Sequence, residues 1–144
     1  MNNPIRHQPS GAPALILKAT ILWFVIGILA VGNGVMREAL LEPGLGPSLG
    51  LAASGLLLAL LVLGVAYIGA PWYGRQSQAT LLGLGVYRLV LTILFESGLG
   101  LILLEQSWEH VLRQYSLAGG NLWLLVLSAI TVAPWLAGKM RGLN

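Results

Sequence analysis

Arg88 and Glu96 are the residues best suited to bind a solute or exchange a proton, because both carry a charge within an otherwise apolar stretch, residues 79–104. Each charge near the centre of a membrane helix costs about 3 kcal/mol to insert, while each Leu, Ile, Val or Phe returns only about 0.3–0.6 kcal/mol. Such groups face a bundle interior, where they bind a solute, proton or ion, or form a structural ion pair. The sequence leaves both interpretations open for Arg88 and Glu96.

Arg88 and Glu96 are not expected to pair with each other. On a helix their spacing is about 12 Å along the axis and about 80° around it. Arg37, which lies just past the first apolar run, is the predicted partner of Glu96, because a guanidinium pairs well with a carboxylate in a medium of low dielectric constant. Arg37, Arg88 and Glu96 together form the predicted intramembrane charge network.

Other patterns of reactive residues are weak. Glu105 and Glu109 share a helix face beside His110, but a single histidine with no second one nearby is not a typical metal-binding pattern. The chain contains no cysteine, and it lacks the phosphate-binding and dinucleotide-binding glycine motifs. The sequence therefore predicts no catalytic residue, no cofactor and no metal ion, and an enzyme is the less favoured interpretation.

The composition shows what must position these charges. Charged residues make up 9% of the 144-residue chain and apolar residues 56%, with a mean hydropathy of +0.80. A soluble domain carries about 25% charged residues, so most of this surface must face lipid. The net charge of +3 comes from basic residues at segment ends, which is typical of a membrane protein and not of nucleic-acid binding. The sequence predicts an all-α fold: a membrane-spanning bundle of about four helices plus a short amphipathic surface helix.

The predicted domain organisation is a polar tail over residues 1–11 and a transmembrane domain over residues 12–141. The expected spans are residues 13–35, 49–70, 79–104 and 121–138, the first being a retained helix and not a cleaved signal peptide. Dense Pro and Gly predict a loop over residues 33–48, with Ser48 capping the second span. Trp72 and Tyr73 are expected to be interfacial anchors, Pro134 to kink the fourth span, and residues 105–117 to include the surface helix.

The basic residues predict the orientation. With four spans both termini lie on one side, and that side carries five basic and no acidic residues: Arg6, Lys18, Arg75, Lys139 and Arg141. The other side carries two basic and four acidic residues: Arg37, Arg113, Glu38, Glu42, Glu105 and Glu109. The positive-inside bias therefore predicts that both termini are cytoplasmic.

Four short patches occur in a fixed order. They are Asn33-Gly-Val-Met-Arg37-Glu38, then Leu91-Thr-Ile-Leu-Phe-Glu96 followed by Gly100, then Ser107-Trp108 with Leu112, Tyr115, Gly120 and Trp123, and finally Ala133-Pro134. This order resembles a group of small, generally uncharacterised bacterial membrane proteins with four spans. The resemblance implies a bacterial inner-membrane location and no particular activity. It adds Asn33, Glu38, Trp108 and Tyr115 as secondary candidate residues, while Arg88 stands where those proteins often carry an aromatic residue.

Two functions are compatible with these observations. The leading interpretation is a non-enzymatic accessory, packing or assembly component of the inner membrane. The alternative is a small oligomeric transporter or channel that uses the intramembrane Arg/Glu site. The expected partners are the lipid bilayer and other membrane proteins or further copies of this chain, and no nucleic acid is expected.

Overall fold

A computed structural model describes residues 11–144, so the predicted polar tail lies outside the described residues except for Gly11, and so does Arg6. The described residues form helices and contain no strand. The α-helices in chain order are α1 (Ala12–Met36), α2 (Glu42–Leu45), α3 (Pro47–Tyr73), α4 (Gln78–Gly98), α5 (Trp108–Arg113) and α6 (Trp123–Met140). Four helical stretches are long and apolar enough to cross a membrane, namely Ala12–Leu45, Pro47–Tyr73, Gln78–Leu103 and Trp123–Met140. The predicted all-α fold with four membrane-length helices is confirmed, and the chain has the character of a multi-pass membrane protein.

The first long helix does not end where the sequence predicts a loop. After α1 the chain stays helical through a π-helical segment, Arg37–Leu41, and then through α2. It leaves the helical conformation at Gly46, whose φ of 86° suits glycine, and Pro47 then starts α3. The loop prediction is therefore wrong for most of residues 33–48, and Gly46, not Ser48, caps α3. Pro47 stands at the first position of α3, where the missing N–H of proline costs no hydrogen bond.

The core of the bundle lies mainly between α3 and α6. Alanines recur along the facing surfaces, among them Ala59 and Ala66 on α3 and Ala129 and Ala133 on α6, and all four are buried. Small side chains let membrane helices approach closely and gain dispersion contacts. Helix α4 packs on α6 by the same means, because a Cβ atom at Gly85 would collide with the backbone carbonyl of Thr131.

A short helix is present where the sequence predicts an amphipathic surface helix. Helix α5 starts after Ser107, whose hydroxyl accepts a hydrogen bond from the backbone N–H of His110 at 3.2 Å. Val111 is buried, while the Trp108 side chain is 66% exposed. The helix covers only six residues. Its placement at a membrane surface stays a prediction.

The two ends of the bundle differ in charge. We call the end with Lys18, Arg75, Lys139 and Arg141 the basic end. Three of these cations lie over aromatic rings there: Lys18 over Trp72, Lys139 over Trp135 and Arg141 over Tyr67. We call the opposite end, where the π-helical segment and the residues between α4 and α6 lie, the Arg37 end.

Candidate functional site

One face of α4 carries both of the intramembrane charges that the sequence singles out. Residues on this face recur at helical spacing, and Leu81, Leu84, Arg88 and Thr92 are buried along it. Glu96 continues the same row one turn after Thr92 and is half-buried. Arg88 and Glu96 do not contact each other, as their spacing predicts, and their surroundings differ.

Arg88 is completely buried near the basic end of the bundle. Its Nη2 donates a hydrogen bond to the hydroxyl of Tyr73 on α3, and its Nε donates to the carbonyl oxygen of Ala19 on α1 at 3.4 Å. The third guanidinium nitrogen, Nη1, has no hydrogen-bond partner among the described residues. Arg88 therefore joins α1, α3 and α4 at one point. Tyr73 is buried as part of this contact and is not the interfacial anchor that the sequence predicts.

Two further hydrogen bonds hold α1 against α4 near this point. The hydroxyls of Thr20 and Tyr87 lie 2.8 Å apart, and the indole Nε1 of Trp23 donates to Thr92 Oγ1 at 2.9 Å. We call these two contacts, together with the contact of Arg88 to Ala19, the α1–α4 clamp. The clamp closes the bundle on its basic side.

A cavity of about 610 Å³ lies between the α1–α4 clamp and the Arg37 end. Helices α1, α3, α4 and α6 form its walls, and residues between α5 and α6 contribute Gln114 and Asn121. Its depth along α1, from Trp23 to Arg37, is about 21 Å at the helical rise, which exceeds the roughly 15 Å of one leaflet's hydrocarbon. Its volume lies within the range of about 300–1,000 Å³ that is typical of small-molecule sites.

The cavity opens sideways between α1 and α4. Its lining includes Phe24, Ile28 and Val31 of α1 and Phe95 of α4, and each of these side chains is more than half exposed. Exposed apolar residues of two membrane-length helices are expected to face acyl chains. The sides of the cavity therefore adjoin the region where lipid lies.

Glu96 lines this cavity, and its carboxylate has no hydrogen-bond or ion-pair partner within residues 11–144. The predicted Arg37–Glu96 pair is wrong. Arg37 also lines the cavity, but its Nη2 lies 3.3 Å from Glu38 Oε1 and its Nε lies 3.2 Å from Glu42 Oε1. The reason is the π-helical segment, in which residues five apart stack, so that Glu42 comes beneath Arg37. The contact to Glu42 is an ion pair without an aligned hydrogen bond.

Besides Arg37 Nε, which has only its ion-pair contact, two buried polar atoms of the lining residues have neither a hydrogen-bond nor an ion-pair partner in the described part of the chain. Asn33 donates through Nδ2 to the carbonyl and hydroxyl oxygens of Ser54 at 3.1 and 2.8 Å, so its Oδ1 must point elsewhere, and that oxygen is unpaired. The indole Nε1 of Trp123 is also unpaired. An unsatisfied buried polar atom costs about 1–3 kcal/mol, so these atoms lower the stability of the bundle beside the cavity.

The cavity brings together some of the residues predicted from sequence and not others. Asn33, Arg37 and Glu96 line it, whereas Arg88 lies in the α1–α4 clamp. Glu38 and Trp108 have exposed side chains outside the lining, and Tyr115 packs against the core of α3 and α6. The predicted charge network is therefore three separate groups: Arg37 with its two glutamates, Arg88 with Tyr73, and Glu96 alone.

Sequence reasoning did not identify Trp23, Ser54, Thr92 and Trp123 as parts of a site. One signal was present on α1, where Trp23 is followed at intervals of three or four residues by Gly27, Ala30 and Gly34, all of which line the cavity. Three small residues next to a large one on one face predict a concave helix surface.

The chain matches no protein-family model, no curated protein and no solved structure. The site is therefore interpreted from its own geometry: a laterally open apolar cavity with one unpaired carboxylate.

Proposed function

We propose that the protein is a non-enzymatic, multi-pass component of the bacterial inner membrane that binds a hydrophobic ligand in the cavity between α1 and α4. The observation that carries the proposal is Glu96, which lines a 610 Å³ cavity without a partner among the described residues. A purely structural carboxylate in a membrane bundle is expected to be paired. An unpaired carboxylate in a cavity of ligand size favours a binding role.

The lining supports recognition more than catalysis. Its polar groups in the described chain include one guanidinium held by two glutamates, one free carboxylate, amides and indole rings. These groups orient and bind a ligand. The lateral opening between α1 and α4 gives a bilayer-soluble molecule a route into the cavity without crossing the headgroup region.

The inner-membrane location and cytoplasmic termini belong to the same proposal. Within the described chain, the basic end carries Lys18, Arg75, Lys139 and Arg141 and no acidic side chain. The sequence predicts that Arg6 lies on the same side of the membrane. In this orientation the cavity lies toward the outer leaflet. The resemblance to small bacterial four-span proteins is consistent with this location and stays a prediction.

Transport is the second candidate function. The position of Glu96 in a cavity favours it, because a carboxylate with a structural role is expected to be in a closed ion pair. The cavity is closed toward the basic end by the α1–α4 clamp, so passage of a ligand would require Trp23 to separate from Thr92 and Arg88 from Ala19. A flux across reconstituted vesicles that Glu96→Gln abolishes would support this candidate. Stable co-purification with a larger membrane complex would instead support the accessory role predicted from sequence.

Two glycines of α1 give a matched test of ligand binding. A Cβ atom at Gly27 or at Gly32 meets no atom within 4 Å, but only Gly27 lines the cavity. Gly27→Leu is therefore expected to place a branched side chain in the cavity and obstruct it, and Gly32→Leu adds the same side chain outside it. Native mass spectrometry of protein extracted from membranes should find a bound molecule on the wild type and on Gly32→Leu, and not on Gly27→Leu. Equal occupancy of all three proteins would contradict the proposal.

A further inference from the structure

Of the charged residues that line the cavity, Arg37 is already paired and Glu96 is free to bind a ligand. Arg37 already has two carboxylates within 3.3 Å, from Glu38 and Glu42. No cation of the described chain lies beside Glu96. Arg88, the nearest arginine on the same helix, is held by Tyr73 in the α1–α4 clamp. The cavity therefore presents one carboxyl group whose negative charge, when it is ionised, no described cation compensates. An anionic ligand would be repelled by Glu96 and would have to displace a glutamate from Arg37.

The rest of the lining fits an organic cation better than a metal ion. Residues 11–144 contain no cluster of three acidic or histidine side chains that could hold a metal. A bare Ca²⁺ needs about six to eight oxygen ligands, and the single carboxylate of Glu96 supplies at most two. Most of the cavity wall is apolar side chain, which a hydrated ion cannot contact favourably but a hydrophobic cation can.

Aromatic side chains add to this preference. Trp23, Phe24, Phe95 and Trp123 all line the cavity. Trp23 is held in place by its hydrogen bond to Thr92 and by edge-to-face contacts with Phe24 and Phe95, whose ring centres lie 5.1 and 5.7 Å away. Aromatic rings attract cations through their negative faces, and the attraction is stronger where water is excluded.

We propose that the ligand of this cavity is a hydrophobic organic cation, held by Glu96 and by the aromatic residues around it. The inference rests on the proposed function, because it names the chemical class of the ligand that the cavity binds. The ligand is a carbon-rich cation of the size of an aromatic amine or phosphonium ion, and it enters from the bilayer between α1 and α4.

Two ions of the same shape and opposite charge test the proposal. Tetraphenylphosphonium and tetraphenylborate both carry four phenyl groups, so their apolar contacts with the cavity are matched. Binding is measured by isothermal titration calorimetry on protein in nanodiscs of a zwitterionic lipid. The heat measured with Gly27→Leu is subtracted, because it reports the partitioning of each ion into the bilayer. The wild type is expected to bind the phosphonium ion and to bind the borate ion at least about tenfold more weakly.

The variants assign that preference to Glu96. Glu96→Gln is expected to weaken phosphonium binding by about tenfold or more, while Glu96→Asp, which keeps the charge, retains most of it. Glu109→Gln is the control, because Glu109 is exposed and pairs with Arg113 on α5, away from the cavity. Circular dichroism and thermal unfolding verify that each variant is folded.

The outcomes separate this inference from the proposed function. Equal binding of the two ions by the wild type, both lost in Gly27→Leu, would overturn the cationic ligand and leave the cavity as a binding site for hydrophobic molecules. Unchanged phosphonium binding by Glu96→Gln would also overturn the inference. If native mass spectrometry finds no cavity-dependent ligand and neither ion binds above the Gly27→Leu background, the proposed function fails together with the inference.

Discussion

The guanidinium of Arg88 donates a hydrogen bond to the hydroxyl of Tyr73, and its central carbon lies 5.9 Å from the centre of the Tyr73 ring. No carboxylate of the described chain takes part in this contact. The buried cation is instead stabilised by a phenol, a backbone carbonyl and an aromatic ring. Arg88 thus belongs to the structure of the bundle, while Glu96, two turns further along α4, is available to a ligand.

The Tyr73 hydroxyl is therefore expected to matter for stability. Tyr73→Phe keeps the ring but removes an acceptor from a guanidinium that already has one unpaired nitrogen, Nη1. A hydrogen bond to a charged group contributes about 1.5–3 kcal/mol, and we expect a loss of that order in the free energy of unfolding. Unfolding in mixed micelles by a denaturing detergent measures it. Tyr67→Phe is the control, because the Tyr67 ring contacts Arg141 but its hydroxyl makes no hydrogen bond in the described chain. Equal stability of the two variants would contradict the role given to Tyr73.

The contact between α4 and α6 depends on the absence of one side chain. A Cβ atom at Gly85 would collide with the Thr131 carbonyl, so Gly85→Ala must push the two helices apart. We expect a destabilisation of about 1–3 kcal/mol, which is typical of overpacking. Gly83→Ala, two residues earlier, meets no atom within 4 Å and is expected to be neutral or to stabilise the helix by up to about 1 kcal/mol. Thermal unfolding of the two variants in the same detergent gives the comparison, and a Gly85→Ala protein as stable as the wild type would refute the close packing.

The architecture was predictable because it follows from hydropathy and length. Four apolar runs bounded by Pro, Gly and charged residues determine four helices, since backbone groups in lipid must be satisfied within a helix. The inward position of Arg88 was also predictable, because a charge on a lipid-facing surface is costly. Which helices pack against each other was not predictable, because the positions of small residues on α3 and α6 do not show which faces meet.

The details of the site were less predictable for local reasons. The partner of Arg37 depends on a π-helical turn that stacks Glu42 beneath it, and residue spacing in a regular α-helix does not place those two side chains together. The burial of Tyr73 depends on the end of α3 packing against α1 and α4, while a Trp-Tyr pair at the end of a span usually predicts an interface. The cavity itself lies between residues of four helices, so it depends on how those helices pack and not on any local pattern.

Asn33 links α1 to α3 through Ser54, and the two side chains are expected to be coupled in stability. Asn33→Ala removes the hydrogen bonds at 2.8 and 3.1 Å, and Ser54→Ala removes the shorter one only. Hydrogen bonds between membrane helices contribute about 0.6 kcal/mol on average and up to about 1.7 kcal/mol. A double-mutant cycle on the free energy of unfolding should therefore give a coupling of about 0.5–1.5 kcal/mol. Strictly additive effects of the two substitutions would show that this contact does not stabilise the helix pair.

The proposed orientation is tested with single cysteines, since the natural chain has none and needs no cysteine removal. Gln78 at the start of α4 and Glu109 on α5 are both exposed and lie at opposite ends of the bundle. If the basic end faces the cytoplasm, a membrane-impermeant maleimide added to cells with a permeable outer membrane labels Glu109→Cys and spares Gln78→Cys. Disrupting the inner membrane should then expose Gln78→Cys to the reagent at a similar rate. The reverse pattern would place the termini outside, and it would move the cavity with Glu96 to the cytoplasmic leaflet.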